Sequence, residues 1–411
     1  MELKTLQSLA RLIEEGATVV GPKPLRTLSL NNYPQSEMQL RQLANKVWGN
    51  VDGQSTTENQ YGKGKVIWGK ALEQILSEQN VAPDFQWKSM GRDAHLIFVH
   101  RNIENTEIYF VANQDSSSVI ADCVFRVGDK QPEIWHPETG EITKPALFQK
   151  KDGQISLPID FGPRESIFIV FQEPSTSQHV VALLKDNNAL YPFEHNTEMT
   201  CLPKLYFNKG KIKFYDAESG RYTLTVSNGQ KKCVKIKSTE KDIHITNIWD
   251  VTFDPEWGEC QLVQYKELDS WTVHKNPKVK FYSGTAIYKT TLAIPKTFFK
   301  ENHKIRLNLG NVKNIATVKL NNQPLGVLWK PPFEIDITKA ARKDENQLEV
   351  HVTNLWHNRL IGDLFLPVDN RKTWTTYPYE GSLTKESPLL KSGLLGPVTI
   401  KSKPIKTLRI Q

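Results

Sequence analysis

Apolar residues two positions apart recur through the later part of the chain, as Ile305/Leu307/Leu309, Ala316/Val318/Leu320, Phe333/Ile335/Ile337 and Leu348/Val350/Val352. Successive side chains of an extended backbone point to opposite sides, so each set occupies one face of a strand. Residues 321–326 and 343–346 are polar, turn-prone interruptions, and Pro331-Pro332 excludes a central strand position. The pattern predicts a β-sandwich. Residues 248–253, 268–271 and 282–288 lead into it, and 397–400 supply a late strand that closes it by pairing beside an early one.

The first part of the chain has a different period. Leu3, Leu6, Leu9, Ala10, Leu12 and Ile13 form a helical stripe that stops at Gly16, and residues 17–21 follow as a short buried strand. A second helix is expected from Ser36, with Glu37 in its first turn, through Leu40, Leu43, Ala44 and Val47 to Trp48, closed by Gly49. Residues 65–68 then suit a strand and 70–78 a helix. Helices and strands alternate as in a parallel α/β layer, but two strands are too few to cover the helices. The layer reads as incomplete. Residues 61–65, Tyr-Gly-Lys-Gly-Lys, invite a phosphate-loop comparison and fail it. A dinucleotide fingerprint requires glycine where Ile67 stands, and a P-loop requires Ser or Thr where Val66 stands, which leaves a turn.

From Gly91 the chain changes to short β-runs at 95–99, 107–112, 119–127, 133–136 and 166–171, with turn signals at 137–140 and 152–153. His100-Arg101 falls between two of these runs, as a loop pair able to hold a carboxylate or a sugar hydroxyl. An ordinary ion pair with Glu104 or Glu107 is the favoured alternative, since exposed arginine pairs are common. Residues 173–178 resemble a linker, and 222–226 with 233–236 suggest a hairpin around Asn228-Gly229.

Composition narrows the class further. Hydrophobic residues make up 38% and charged residues 24% of the 411, which is ordinary for a globular protein, and no apolar run approaches the ~20 residues of a membrane span. The formal charge of +8 is scattered among acids with no basic block, which argues against nucleic acid as a partner. Cys123, Cys201, Cys233 and Cys260 lack the short spacing that grips zinc, so free thiols are expected, with a Cys201–Cys233 disulfide as the alternative in an oxidising compartment. The first residues are amphipathic and lack the basic-then-apolar order of a secretory signal.

Specific segments carry a family resemblance. Ile248-Trp-Asp-Val-Thr-Phe253, Leu268-Asp-Ser-Trp271, residues 282–288 and Asn354-Leu-Trp-His-Asn-Arg-Leu-Ile-Gly-Asp363 together resemble the galactose-binding-like jelly roll attached to family 2-type glycoside hydrolases. Glu15-Gly-Ala-Thr-Val-Val-Gly-Pro-Lys-Pro24, Tyr61-Gly-Lys-Gly-Lys-Val66, Val99-His-Arg101, Tyr109-Phe-Val-Ala-Asn-Gln114 and Ile134-Trp-His-Pro-Glu-Thr-Gly140 resemble, in the same order, the C-terminal half of the large α-L-rhamnosidases of glycoside hydrolase family 106. The fold expected is multidomain and mainly β. A partial α/β layer (amidotransferase- or flavodoxin-like) occupies 1–88, a small β-sandwich 89–173, a β-rich connecting module 174–246 and a galactose-binding-like jelly roll 247–411.

The resemblance implies a catalytic barrel N-terminal to the matched part, so no catalytic residue is carried over. It also implies rhamnose-containing glycans as ligands, a separate barrel chain as a candidate partner, an exported parent protein, and calcium as a cofactor with no ligand set identified; no other cofactor is evident. Glu334, Asp336, Asp363 and Glu380 are the carboxyls available for glycoside cleavage, but Glu334 and Asp336 alternate with apolar residues and read as the solvated side of one strand. The expectation is an accessory portion inactive by itself, set against a stand-alone carbohydrate-binding protein or half of a split glycosidase. Candidate carbohydrate contacts are His100, Arg101, Trp329, Trp356, Asn358, Arg359 and Asp363, with His357 beside them, because a sugar site combines an apolar face with a few fixed polar groups. Against this, Trp356 suits a core plug with Arg359 and Asp363 locking a strand end, and the average burial of large aromatics favours that alternative.

Overall fold

The computed structural model describes the chain except for residues 176–177, 194–201, 238–240, 257–261, 377, 380 and 410–411. The described residues form two compact units, Met1–Asp84 and Phe85–Gln411, and both belong to a mainly β chain. In the first unit, helix Leu3–Glu15 buries Leu6, Ala10 and Ile13 and ends at Gly16, whose φ of 127° favours glycine. Helix Gln35–Trp48 begins one residue before Ser36, buries Leu40, Ala44, Val47 and Trp48, and ends at Gly49. These side chains share a core with Val51 and Val66.

The sheet of this unit has three strands. Gly64–Ile67 lies centrally, parallel to Thr18–Val20 and antiparallel to Glu58–Tyr61. Strand Thr18–Val20 is largely exposed, which corrects the expectation of a buried strand, and Glu58–Tyr61 is polar enough to have escaped the hydrophobic pattern. The glycine-rich segment is the turn of that hairpin, with Tyr61 paired to Gly64. A Cβ on Gly64 would stand 2.2 Å from the Ala17 carbonyl oxygen, so close backbone approach explains this glycine.

The second unit contains three sandwiches. In the first, the four-stranded sheet orders Gln149–Lys151, Gln154–Phe161, Val119–Phe125 and Phe85–Ser89, all antiparallel. It faces a five-stranded sheet ordered Leu96–Ile103, Thr106–Asn113, Ser166–Pro174, Lys130–Trp135 and Ile142–Thr143. Phe85, Tyr109, Phe125, Phe148, Phe161 and Phe171 fill the space between them. Each large apolar side chain fully buried there contributes about 1.5–3 kcal/mol.

In the second sandwich, Asn188–Tyr191, Val180–Lys185, Gly220–Val226 and Lys231–Ile236 make one sheet. The last two strands form the expected hairpin, with Gly229 at φ 85°. Its companion sheet joins Lys204–Asn208 and Lys211–Tyr215 to Lys406–Arg409, a strand from the end of the chain. Cys123 is buried and Cys233 exposed, both as free thiols, and burial pushes the Cys123 thiol up. Cys201 and Cys260 lie outside the described residues.

The last sandwich is the one announced by the alternating pattern. Its six-stranded sheet orders Leu262–Tyr265, Trp249–Thr252, Thr285–Ile294, Asp344–Thr353, Ile315–Leu320 and Gln323–Leu328. The opposing sheet orders Ile243–His244, Thr399–Pro404, His303–Asn308 and Glu334–Asp336, so the late strand does return beside an early one. Ile305, Leu307, Leu309, Ala316, Val318, Leu320, Phe333, Ile337, Leu348, Val350 and Val352 are all buried in its core. One expected interruption is itself structured. Asn321 and Asn322, both at positive φ, turn the chain into edge strand Gln323–Leu328.

Candidate functional site

Residues 354–363 do not continue a strand. After strand Asp344–Thr353 the chain passes through Asn354, Leu355 and Trp356 into helix His357–Asp363. The polar residues of this segment bind other parts of the protein. Asn354 donates from Nδ2 to the Tyr282 carbonyl (2.9 Å) and to Ser392 Oγ (3.0 Å), while its Oδ1 accepts from Gly284 N–H (3.0 Å). Asn358 grips residue 390 on both sides, donating to the Leu390 carbonyl (2.7 Å) and accepting from the Leu390 N–H (2.8 Å), and it also donates to Ser392 Oγ (3.0 Å). His357 Nε2 lies 3.1 Å from the Pro388 carbonyl oxygen.

The helix carries its own ion pair. Arg359 Nε faces Asp363 Oδ1 at 3.0 Å, one turn apart, with both side chains nearly excluded from solvent. The two atoms meet as charges without the alignment of a hydrogen bond. Asp363 Oδ2 accepts from the Thr373 N–H at 2.9 Å and from its hydroxyl. Gly362 permits this arrangement, because a Cβ there would come within 2.6 Å of both Arg359 Nη2 and Phe281 Cβ. Asn358, Arg359 and Asp363 are therefore buried braces within a helix, whereas the sequence alternative placed a lock at a strand end.

Beneath the helix, Ser392 links the braces to the sandwich. Its N–H donates to Ser270 Oγ at 3.1 Å, and its carbonyl accepts from the Trp271 N–H at 3.0 Å. Trp271 Nε1 donates to Tyr288 Oη at 2.5 Å, and the Leu394 N–H reaches the same oxygen at 3.1 Å. Burial raises the Tyr288 phenol above its ordinary value, and burial with nearby Asp269 pushes Tyr265 up to about 12. Both remain protonated at neutral pH and act as fixed parts of the floor.

Trp356 is 51% exposed, which corrects the favoured expectation of a core plug. Trp329 is 56% exposed and lies at the same end of the six-stranded sheet. It follows Leu328, which pairs with Ala316, and the next residue at that end, Ile315, pairs with Thr353. Leu355 and Phe365 are each 51% exposed, and Trp374 next to the braced Thr373 is 88% exposed. Phe365 packs tilted against Phe281, ring centres 5.5 Å apart, with the Lys385 ammonium over its ring at 5.4 Å. The result is an aromatic surface around one short helix, whose polar residues are turned inward. Leu355, Phe365 and Trp374 were not among the candidates.

His100 and Arg101 belong to the first sandwich and lie within strand Leu96–Ile103, not on a loop. His100 Nε2 stands 2.8 Å from Glu107 Oε2, and its ring stacks on Tyr109 at 3.9 Å. Arg101 Nη1 donates to the His100 carbonyl at 3.1 Å. The expected contact with Glu107 thus comes from the histidine. Although burial works to raise the Glu107 pKa, hydrogen bonds from Asn102 and His100 hold it below the ordinary value. Glu334 and Asp336 pair with Arg306 and Lys304 at 2.9 and 3.0 Å, and Glu380 lies outside the described residues. Among the described residues no three His, Cys, Asp or Glu side chains converge as a metal site. No helix there is long and apolar enough to cross a membrane.

Comparison with known proteins supplies the family context. Residues 1–149 match the glycoside hydrolase family 106 α-L-rhamnosidase profile, and residues 261–363 match the galactose-binding-like domain of glycosyl hydrolase family 2. The solved rhamnosidase of Novosphingobium sp. PP1Y aligns over 98% of this chain and 32% of its own, with a TM-score of 0.74 and 28% identity. The chain thus resembles part of a rhamnosidase over nearly its whole length. A protein of Formosa agariphila provisionally named a beta-glucuronidase is 26% identical over 98% of this chain and 50% of its own length. The chain therefore spans about half of that curated relative and about a third of the solved rhamnosidase.

Proposed function

We propose that residues 1–411 form an accessory, carbohydrate-associated portion of a glycoside hydrolase acting on α-L-rhamnosides, with bond cleavage carried out by segments outside them. The observation that carries this reading is the exposed Trp329 and Trp356 surface at one end of the jelly roll, backed by buried braces. Aromatic faces suit the C–H side of a sugar ring, and rigid support lowers the ordering cost of binding. The sheets of the described residues also favour an accessory role. Apart from the Thr18–Val20/Gly64–Ile67 pair they are antiparallel, whereas a (β/α)8 barrel is parallel throughout.

The test is binding of a rhamnose-containing oligosaccharide to the purified chain, with aryl α-L-rhamnoside hydrolysis measured alongside. Trp356→Ala should weaken binding about tenfold while changing stability by no more than about 0.5 kcal/mol, as expected of an exposed side chain. Equal affinity in the variant would sink the aromatic-platform reading. Turnover by the chain itself would overturn the accessory role.

A further inference from the structure

A cleft distant in topology from the aromatic end remains unused by that reading. It is an open depression in which apolar side chains and a few polar groups line one space. Strands Gln154–Phe161 and Lys130–Trp135 of the first sandwich contribute to it, and residues 202–206 of the second close one side. This wall is fixed by backbone bonds. Ala146 N–H donates to the Leu205 carbonyl and Phe207 N–H to the Lys144 carbonyl, each at 2.8 Å.

The floor is aliphatic, and five polar side chains face the space: His136, Asp160, Glu165, Lys204 and Tyr206. Glu165 spends one oxygen on the Gly162 N–H at 2.7 Å, and Tyr206 bonds to Thr143. Among the described residues the Asp160 carboxylate and the Lys204 ammonium form no hydrogen bond or direct ion pair, although each lies in the field of the other. Burial raises the Asp160 pKa, and burial likewise keeps His136 neutral more readily than usual. A largely buried carboxylate and ammonium left facing a cleft are costly unless a polar ligand or water completes them.

We propose that this cleft binds one neutral sugar unit through Asp160 and Lys204. Two carboxylates against a single ammonium disfavour an anionic ligand, while alternating acceptors and donors over an aliphatic floor match hydroxyls on a C–H framework. The choice of a sugar rests on the carbohydrate-associated reading above; the open cleft and its uncompleted polar groups do not.

The experiment titrates the full chain with methyl α-L-rhamnoside and, separately, with sodium D-glucuronate, reading affinity by calorimetry and folding by the unfolding temperature. Saturable binding of the neutral glycoside is expected, with Asp160→Asn weakening it about tenfold and leaving the unfolding temperature unchanged. Should Asp160→Asn fail to fold, Lys204→Gln carries the same test. Absence of saturable rhamnoside binding, tighter binding of glucuronate, or unaltered affinity in the folded variant would each overturn the assignment. Binding lost in Trp356→Ala but kept in Asp160→Asn would overturn it too, yet leave the jelly-roll reading standing.

Discussion

Asp363 is the residue on which the aromatic end depends most. Its two oxygens serve separate purposes, one compensating the buried Arg359 charge and the other fixing Thr373 beside the exposed Trp374. Removing one member of a buried pair leaves the other charge without compensation, which typically costs about 3–5 kcal/mol. Asp363→Ala should therefore lower stability by about that amount in a denaturant titration. A loss under 1 kcal/mol would mean that the pair is solvated and the helix is held by Asn358 and Asn354 alone. Trp356 belongs to the opposite class, since its indole is half exposed and truncation should leave folding intact. The average burial of large aromatics favoured a buried Trp356 with Arg359 and Asp363 as locks; the charged pair is buried and the tryptophan is not. The segment is tied down by hydrogen bonds reaching from Asn354 and Asn358 to Ser392, over 38 and 34 residues of sequence, which no local pattern reveals.

Among the elements, three neighbouring strands of the jelly roll align Lys289, Glu349 and Lys319 in one cross-strand row. Such opposite-charge neighbours support a sheet by a few tenths of a kcal/mol each. Glu349 also receives His351 at 2.5 Å, and this hydrogen bond, with those from Lys319 and Lys289 acting against burial, lowers its pKa from 4.5 to about 2. A carboxyl depressed by folding stabilises fully above its unfolded value and loses that contribution as pH falls from about 4.5 towards 2. Glu349→Gln should be less stable than the parent at pH 7, with the difference vanishing near pH 2 in paired urea titrations. A gap independent of pH would reject this assignment. The strands of this row were legible because period-two alternation is a strong signal when one face is buried. Edge strand Gln323–Leu328 was not, since Pro324 and Gly326 disfavour a strand except at an edge. Helix His357–Asp363 escaped because seven residues give too few turns for a helical stripe to stand out.

Across the whole molecule, the end of the chain joins two sandwiches that local sequence treats as separate modules. Strand Thr399–Pro404 pairs with His303–Asn308 in the jelly roll, and a few residues later Lys406–Arg409 pairs with Lys211–Tyr215 in the second sandwich. Arg306 reinforces the junction, lying 2.9 Å from Glu334 within the jelly roll and 3.4 Å from Asp216 of the second sandwich. No alternation pattern could announce this pairing, because register between distant strands is set by the assembled sheets and not by either segment. Two truncations separate its contributions. Ending the chain after Asp363 removes both strands, so the jelly roll should lose cooperative unfolding altogether. Ending it after Ile405 removes only the second pairing. The jelly roll should then unfold as before, while amides in Lys211–Tyr215 exchange faster with solvent because their strand has become an edge. Hydrogen exchange read by mass spectrometry distinguishes these outcomes, and unchanged protection of Lys211–Tyr215 in the shorter truncation would show that the last strand contributes no stability to the second sandwich.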